Sequence, residues 1–139
     1  MAELERQAPV QQMGNYMQHG SVSTLEHCKR VTRLSFAIRD WIRLRVNEDT
    51  LLMGAMLHDF YLYDWHMEDD GSHHLHGLIH ADRARRNAEK YFSVDEKVQQ
   101  VILTHMWPLN LTRIPRSSEA WIVCAADKLA SIQETLFLR

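Results

Sequence analysis

Apolar and polar positions along this chain follow a helical period, and strand-like alternation is absent. Leu25, Val31, Leu34, Ile38 and Trp41 fall on one face of a first helix, which Ser21 or Ser23 can cap and which is expected to run to about Arg45. The next segment, LLMGAMLHDF, is apolar almost all round, which predicts a central buried helix capped by Asn47 or Asp49. A polar stretch, YDWHMEDDGSHH, follows, with Asp70-Gly71 as a turn signal. A third helix is expected over about 75–91 and a fourth over about 94–106. The fourth stops before Pro108, because the residue preceding proline is pushed away from helical angles. The loop WPLNLTRIPRSS leads to a fifth helix that starts near Ser118 and runs towards the C-terminus. Residues 1–20 read as a loose segment or short helix, and residues 21–139 as one helical domain. The expected fold class is all-α, a single-domain bundle of five to six helices. Only five glycines and three prolines interrupt the chain, which favours long helices over many short strands.

Composition changes this picture little. A chain of 139 residues can bury a core of its own without disulfides. With 45% hydrophobic and 24% charged residues it is ordinary for a globular protein, and a net charge of -2 gives no bulk attraction to nucleic acid or anionic membranes. No nucleic-acid polymer is expected as a partner. The N-terminus has acids where a signal peptide has bases, and no apolar run approaches the roughly 18 residues of a membrane span, so a cytoplasmic setting is expected. Cys28 and Cys124 lie far apart with no CxxC pairing, and read as small core residues in a reducing compartment.

Histidine stands out, with nine in the chain, and placement decides what they mean. His27 is at helical spacing with Val31, Leu34 and Ile38. The adjacent pair His58-Asp59 ends the apolar second helix, where neighbouring side chains diverge by about 100°. His80 shares a face with Ala84, Asn87 and Tyr91; His105 lines up with Val98, Val101 and Ile102; Asp127 lines up with Ala120, Val123, Cys124 and Ser131. Taken singly, each reads as an ordinary core or surface residue, and Asp127 as the partner of Lys128 or an arginine. Jointly, an inward imidazole or carboxylate on every helix is hard to obtain by chance. A lone buried carboxylate is strongly unfavourable, and a divalent cation accommodates both the carboxylates and the neutral imidazoles. The candidate ligands are therefore His27, His58, Asp59, His80, His105 and Asp127. His76, four residues before His80, is the alternative on the third helix. His73 and His74 fall in or near the HHLHG segment, His66 is expected to line the pocket or support a ligand, and His19 to sit at the surface.

The stretches EHCKRVTRLS, GAMLHDFY and VCAADKLASIQE carry, in order, His27, then His58-Asp59, then Asp127 followed by Lys128. In this the chain resembles the HD-domain superfamily of metal-dependent phosphohydrolases over roughly residues 20–137. HGLIHADRA and ILTHMWPL are similar to the extra histidines of its two-metal branch, and HMWPL resembles small bacterial members. The resemblance implies that His27, His58, Asp59 and Asp127 bind one metal and that Asp59 bridges to a second held by His80 and His105. Two departures stand out. Met106 follows His105, so the tandem histidine and the GYP signature of some cyclic-dinucleotide phosphodiesterases are missing, and the bulky pair Phe60-Tyr61 follows the HD pair, where it would alter the pocket mouth.

A nitrogen and oxygen donor set without thiolates suits iron or manganese first, then cobalt, nickel or zinc, as one or two divalent ions. The expected function is hydrolysis of a small phosphoester or nucleotide by attack of a metal-bound hydroxide. Asp59 holds the ions, and Asp64 or His66 is the candidate acid for the leaving oxygen. Lys128, Arg83, Arg86, Arg113 and Arg116 are candidates for contacting the anionic substrate. Trp65, Trp107 and Tyr63 are weaker candidates for stacking a base. Two other readings compete: a mixed-valence di-iron oxygenase, which some proteins resembling this superfamily are, and a non-catalytic sensing or interaction domain. A homodimer is one option for the assembly.

Overall fold

In the computed structural model of the chain, residues 1–19, 21–61 and 73–137 are described, residues 18, 19 and 73–78 by their backbone alone. The five expected helices are α3 (Thr24–Ile42), α4 (Glu48–Leu57), α5 (His73–Phe92), α6 (Glu96–Thr104) and α7 (Ser118–Phe137). Side-chain caps set the starts of α3, α4 and α6. The oxygens of Ser23, Asn47 and Asp95 accept from the backbone N–H groups of Glu26, Thr50 and Val98. Ser23, not Ser21, caps α3, and Asn47, not Asp49, caps α4. The first helix ends earlier than expected, because Arg43 turns into the left-handed region at φ 57°.

Two further short helices, α1 (Ala2–Glu5) and α2 (Ala8–Gln11), precede a 3₁₀ turn over Gln12–Asn15. Val10 of α2 and Met13 of the turn are fully buried, in one cluster with Cys28 and Phe60. A two-stranded antiparallel ribbon, β1 (Met17–His19) with β2 (Val22–Ser23), leads into α3. Strands this short leave no alternation to be seen in sequence.

The apolar helix α4 is central, as its pattern predicts. Met56 and Leu57 join one buried cluster with Phe60, Ala84 and Ile102, whereas Leu51 and Ala55 join a second with Val31, Val101 and Ala126. Helix α4 thus packs on α3, α6 and α7, and less extensively on α5. The approach to α6 is very close: a Cβ on Gly54 would lie 2.5 Å from Val101 Cγ1, so only glycine fits. Trp41, expected in the core stripe of α3, is instead 84% exposed, since the last turn of that helix runs past its neighbours. No helix among the described residues is long and apolar enough to cross a membrane.

Candidate metal centre

Helices α3, α5 and α7 and the ends of α4 and α6 turn their polar residues inward at one place. His27 comes from the first turn of α3, on its buried face, and Asp127 and His80 from the buried faces of α7 and α5. His58 and His105 cap the C-terminal ends of α4 and α6, and Asp59 follows at once. All six are buried, Asp127 the least at 9% exposure.

Two groups result. His27, His58, Asp59 and Asp127 present one donor atom each within 4.8 Å of one another, and Asp59, His80 and His105 do the same. Asp59 belongs to both because its two oxygens are divided between them. Oδ2 lies 3.4 Å from Nε2 of His27 and of His58, while Oδ1 lies 3.2 Å from Nε2 of His80 and of His105. Asp127 Oδ1 sits 2.9 Å from His27 Nε2 and 3.4 Å from His58 Nε2.

The ring orientations decide what these atoms can do. His58 Nδ1–H donates to the Ala55 carbonyl at 2.7 Å, and His105 Nδ1–H donates to the Ile102 carbonyl at 2.6 Å. His27 Nδ1–H donates to Glu134 Oε2 at 2.8 Å. A carbonyl oxygen only accepts, so in the neutral rings Nε2 carries the lone pair. The lone pairs of His27 and His58 face each other, their Nε2 atoms 3.3 Å apart, and Nε2 of His105 lies 3.1 Å from Nε2 of His80. Lone pairs crowded at this range need either protons or a cation between them. The separations match those between neighbouring ligands on one ion with bonds of about 2.1 Å, which are about 3 Å apart. The donor set therefore fits a divalent metal.

Protons serve the same purpose when no cation is bound. Burial acts against charging His27, but hydrogen bonds to Asp127 and Glu134 outweigh it and push the pKa up to about 10. At His58, burial is likewise overcome, here by the charge of Asp59. Burial alone would raise both aspartates. The His58 charge holds Asp59 well below the usual carboxylate range, and the His27 hydrogen bond does the same for Asp127. His105 is pushed below its ordinary value by burial, against the pull of Asp59. In the metal-free first group, imidazoles with raised pKa thus face carboxylates with lowered pKa, which favours imidazolium–carboxylate pairing.

The other expected site residues are distributed less simply. Lys128 is engaged within the protein: its ammonium donates to the His105 carbonyl at 3.1 Å, the Cys124 carbonyl at 3.5 Å and Cys124 Sγ at 3.2 Å. It thereby ties the end of α6 to α7. Arg113 forks onto both oxygens of Asp82, at 2.9 and 3.2 Å, joining the loop before α7 to α5. Arg116 lines a cleft with Lys97, Gln100 and Glu119 that includes none of the six clustered residues. Arg83 and Arg86 line a different, polar cavity of about 550 Å³ with Gln12, Tyr61 and Asn87. One of its lining residues, Tyr61, stands with its ring edge-on to His80, centroids 5.5 Å apart. Phe60 does not shape a pocket mouth as its position after the HD pair suggested; it is fully buried in the core. Trp107 packs edge-on against Trp121 at 5.1 Å. Asp64, His66, Tyr63 and Trp65 lie outside the described residues, as do the side chains of His19, His73, His74 and His76. Cys28 and Cys124 are buried and free, as expected of core residues.

Glu134 was not foreseen. It is fully buried in the last turns of α7, where a lone glutamate reads as solvated. The available signal was its spacing: seven residues after Asp127, it returns to the same helical face.

The HD domain family model matches residues 24–132. The chain belongs to the HD-domain family. Its paired clusters contain the residues on which the sequence resemblance rested, and the matched range takes in all six. Among curated proteins, this HD domain is similar to a dihydroneopterin 2',3'-cyclic phosphate phosphodiesterase of Methanocaldococcus jannaschii. It is 26% identical over 114 residues, covering 77% of this chain and 45% of that protein. The chain thus spans less than half the length of that relative. No solved structure gives a significant match.

Proposed function

We propose that this HD domain is a metal-dependent phosphohydrolase acting on a small phosphoester. The observation that carries the reading is the convergence of seven buried donor atoms, Asp59 supplying two of them, into two adjoining groups. The relative named for hydrolysis of a cyclic phosphate supports the same reaction class. Donors of nitrogen and oxygen alone favour iron or manganese over a structural zinc. When bound, one or two such ions supply a water of lowered pKa and positive charge for the phosphoryl oxygens.

The chain's own residues then have separate tasks. His27, His58 and Asp127 would hold one ion, His80 and His105 a second, and Asp59 would contribute to both. Carbonyls and Glu134 fix the ring orientations, so little rearrangement is needed on loading. Arg83 and Arg86, beside Tyr61, are placed to draw in an anionic substrate. Lys128 acts through the His105 backbone instead, and Arg113 is committed to Asp82. Asp64 or His66 protonates the leaving oxygen. The two free, buried cysteines accord with a cytoplasmic setting.

The test is a panel of phosphomonoesters, nucleotides and 2',3'-cyclic phosphates, run anaerobically on protein reloaded with Fe²⁺ or Mn²⁺. Ester hydrolysis that chelation abolishes and metal restores is expected. Oxygen uptake by the iron-loaded protein in a parallel aerobic run, with no anaerobic hydrolysis, would replace this reading by the oxygenase.

Loading should also depend on pH. A proton on His27 blocks its Nε2, and the pKa of that ring in the metal-free protein is raised to about 10. Metal uptake near neutral pH therefore releases protons, and affinity rises with pH, by about tenfold per unit for each proton displaced. Titration calorimetry in buffers of different ionisation enthalpy measures the number released. A value of zero at pH 7 would contradict the protonation described above.

A further inference from the structure

Of the clustered histidines whose Nδ1 partners are given above, His58 and His105 donate to backbone carbonyls, whereas His27 donates to a carboxylate. That carboxylate, on Glu134, is fully buried. A buried glutamate is costly unless its charge is matched. Here Arg30 Nη1 donates to Oε1 at 2.7 Å, and His27 occupies Oε2 at 2.8 Å. Arg30 lies on α3 three residues beyond His27, so the guanidinium and the imidazole grip one carboxylate from adjacent positions on a single helical face.

A carbonyl would have sufficed to fix the ring, as it does at His58. A carboxylate does more: it strengthens the lone pair on the opposite nitrogen and so makes the imidazole a better donor. Arg30 meets the carboxylate at its other oxygen. We propose that Glu134 is a positioning residue for the metal, tuning the donor strength of His27, with Arg30 balancing its charge. The proposal rests on the metal reading above.

Binding of Mn²⁺ alone to the metal-free full-length chain tests it, with the melting temperature of each metal-free protein measured alongside. Glu134→Gln keeps the size and an accepting oxygen but removes the charge, so the Kd for Mn²⁺, extrapolated from its pH dependence to deprotonated His27 and thereby freed of proton competition, is expected to weaken by about 10- to 100-fold. Arg30→Gln retains the carboxylate and should stay within about threefold of wild type. The double variant Arg30→Gln/Glu134→Gln removes both charges together, which preserves charge balance if Glu134→Gln alone folds poorly. It should bind as weakly as Glu134→Gln while melting near the wild type. Glu134 variants that bind Mn²⁺ as tightly as wild type, whatever their melting temperature, would overturn the proposal and leave the metal reading intact. A wild-type chain that takes up no Mn²⁺ and no other divalent metal would overturn both.

Discussion

Replacing Asp59 by alanine is expected to lower phosphoester hydrolysis on the order of 10³-fold or more, the equivalent of several kcal/mol of transition-state stabilisation. The size follows from its position. Each of the other five clustered residues belongs to one group, but Asp59 gives Oδ2 to His27 and His58 and Oδ1 to His80 and His105. One substitution therefore removes a donor from both groups and the negative charge they share. Asp59→Asn is the stricter version, because it keeps the shape and alters the charge. Metal content by elemental analysis and kcat/KM on the best panel substrate check the expectation together. Full metal content and unchanged turnover in Asp59→Asn would defeat the shared-ligand account.

Phe60→Ala, one position further along, should act on the fold instead. Phe60 is fully buried, with its ring centroid 5.9 Å from that of Tyr91 and 5.8 Å from that of Phe92. Truncating a buried phenylalanine costs about 3–5 kcal/mol in lost transfer energy and cavity formation. Against a typical total of about 5–15 kcal/mol, that is a large share of the stability. Urea denaturation should show the midpoint falling with the slope unchanged. The two neighbours thus separate cleanly, Asp59 through the metal and Phe60 through the core. A loss below about 1 kcal/mol would mean that the space around Phe60 collapses to fill the gap.

The contrast between these neighbours marks what a sequence can convey. The helices were legible because each combines a 3.6-residue apolar period with a capping side chain, as at Ser23 and Asn47. The convergence of the six clustered residues was legible for a related reason: a polar residue on an apolar stripe is forced inward with its neighbours. Phe60 was misplaced because an aromatic after a helix end has no period to orient it. Trp41 was misplaced because periodicity gives the face of a helix but not where its neighbours stop. The acceptors of Lys128 are two carbonyls and a thiol, and the Arg113 partner Asp82 is 31 residues away. Neither arrangement leaves a local pattern. Val10 and Met13 likewise found their burial only through long-range packing.

The crossing of α4 and α6 at Gly54 and Val101 bears on how variants of this chain should be screened. His58 follows Gly54 by one helical turn, His105 follows Val101 by one turn, and their rings lie 4.8 Å apart. The crossing is therefore a pivot, and a single methyl group wedged there would splay the two rings without touching either. A chain can thus retain every histidine and aspartate of the motif and still lose the centre, so residue 54 belongs beside the ligands in any search for silenced copies.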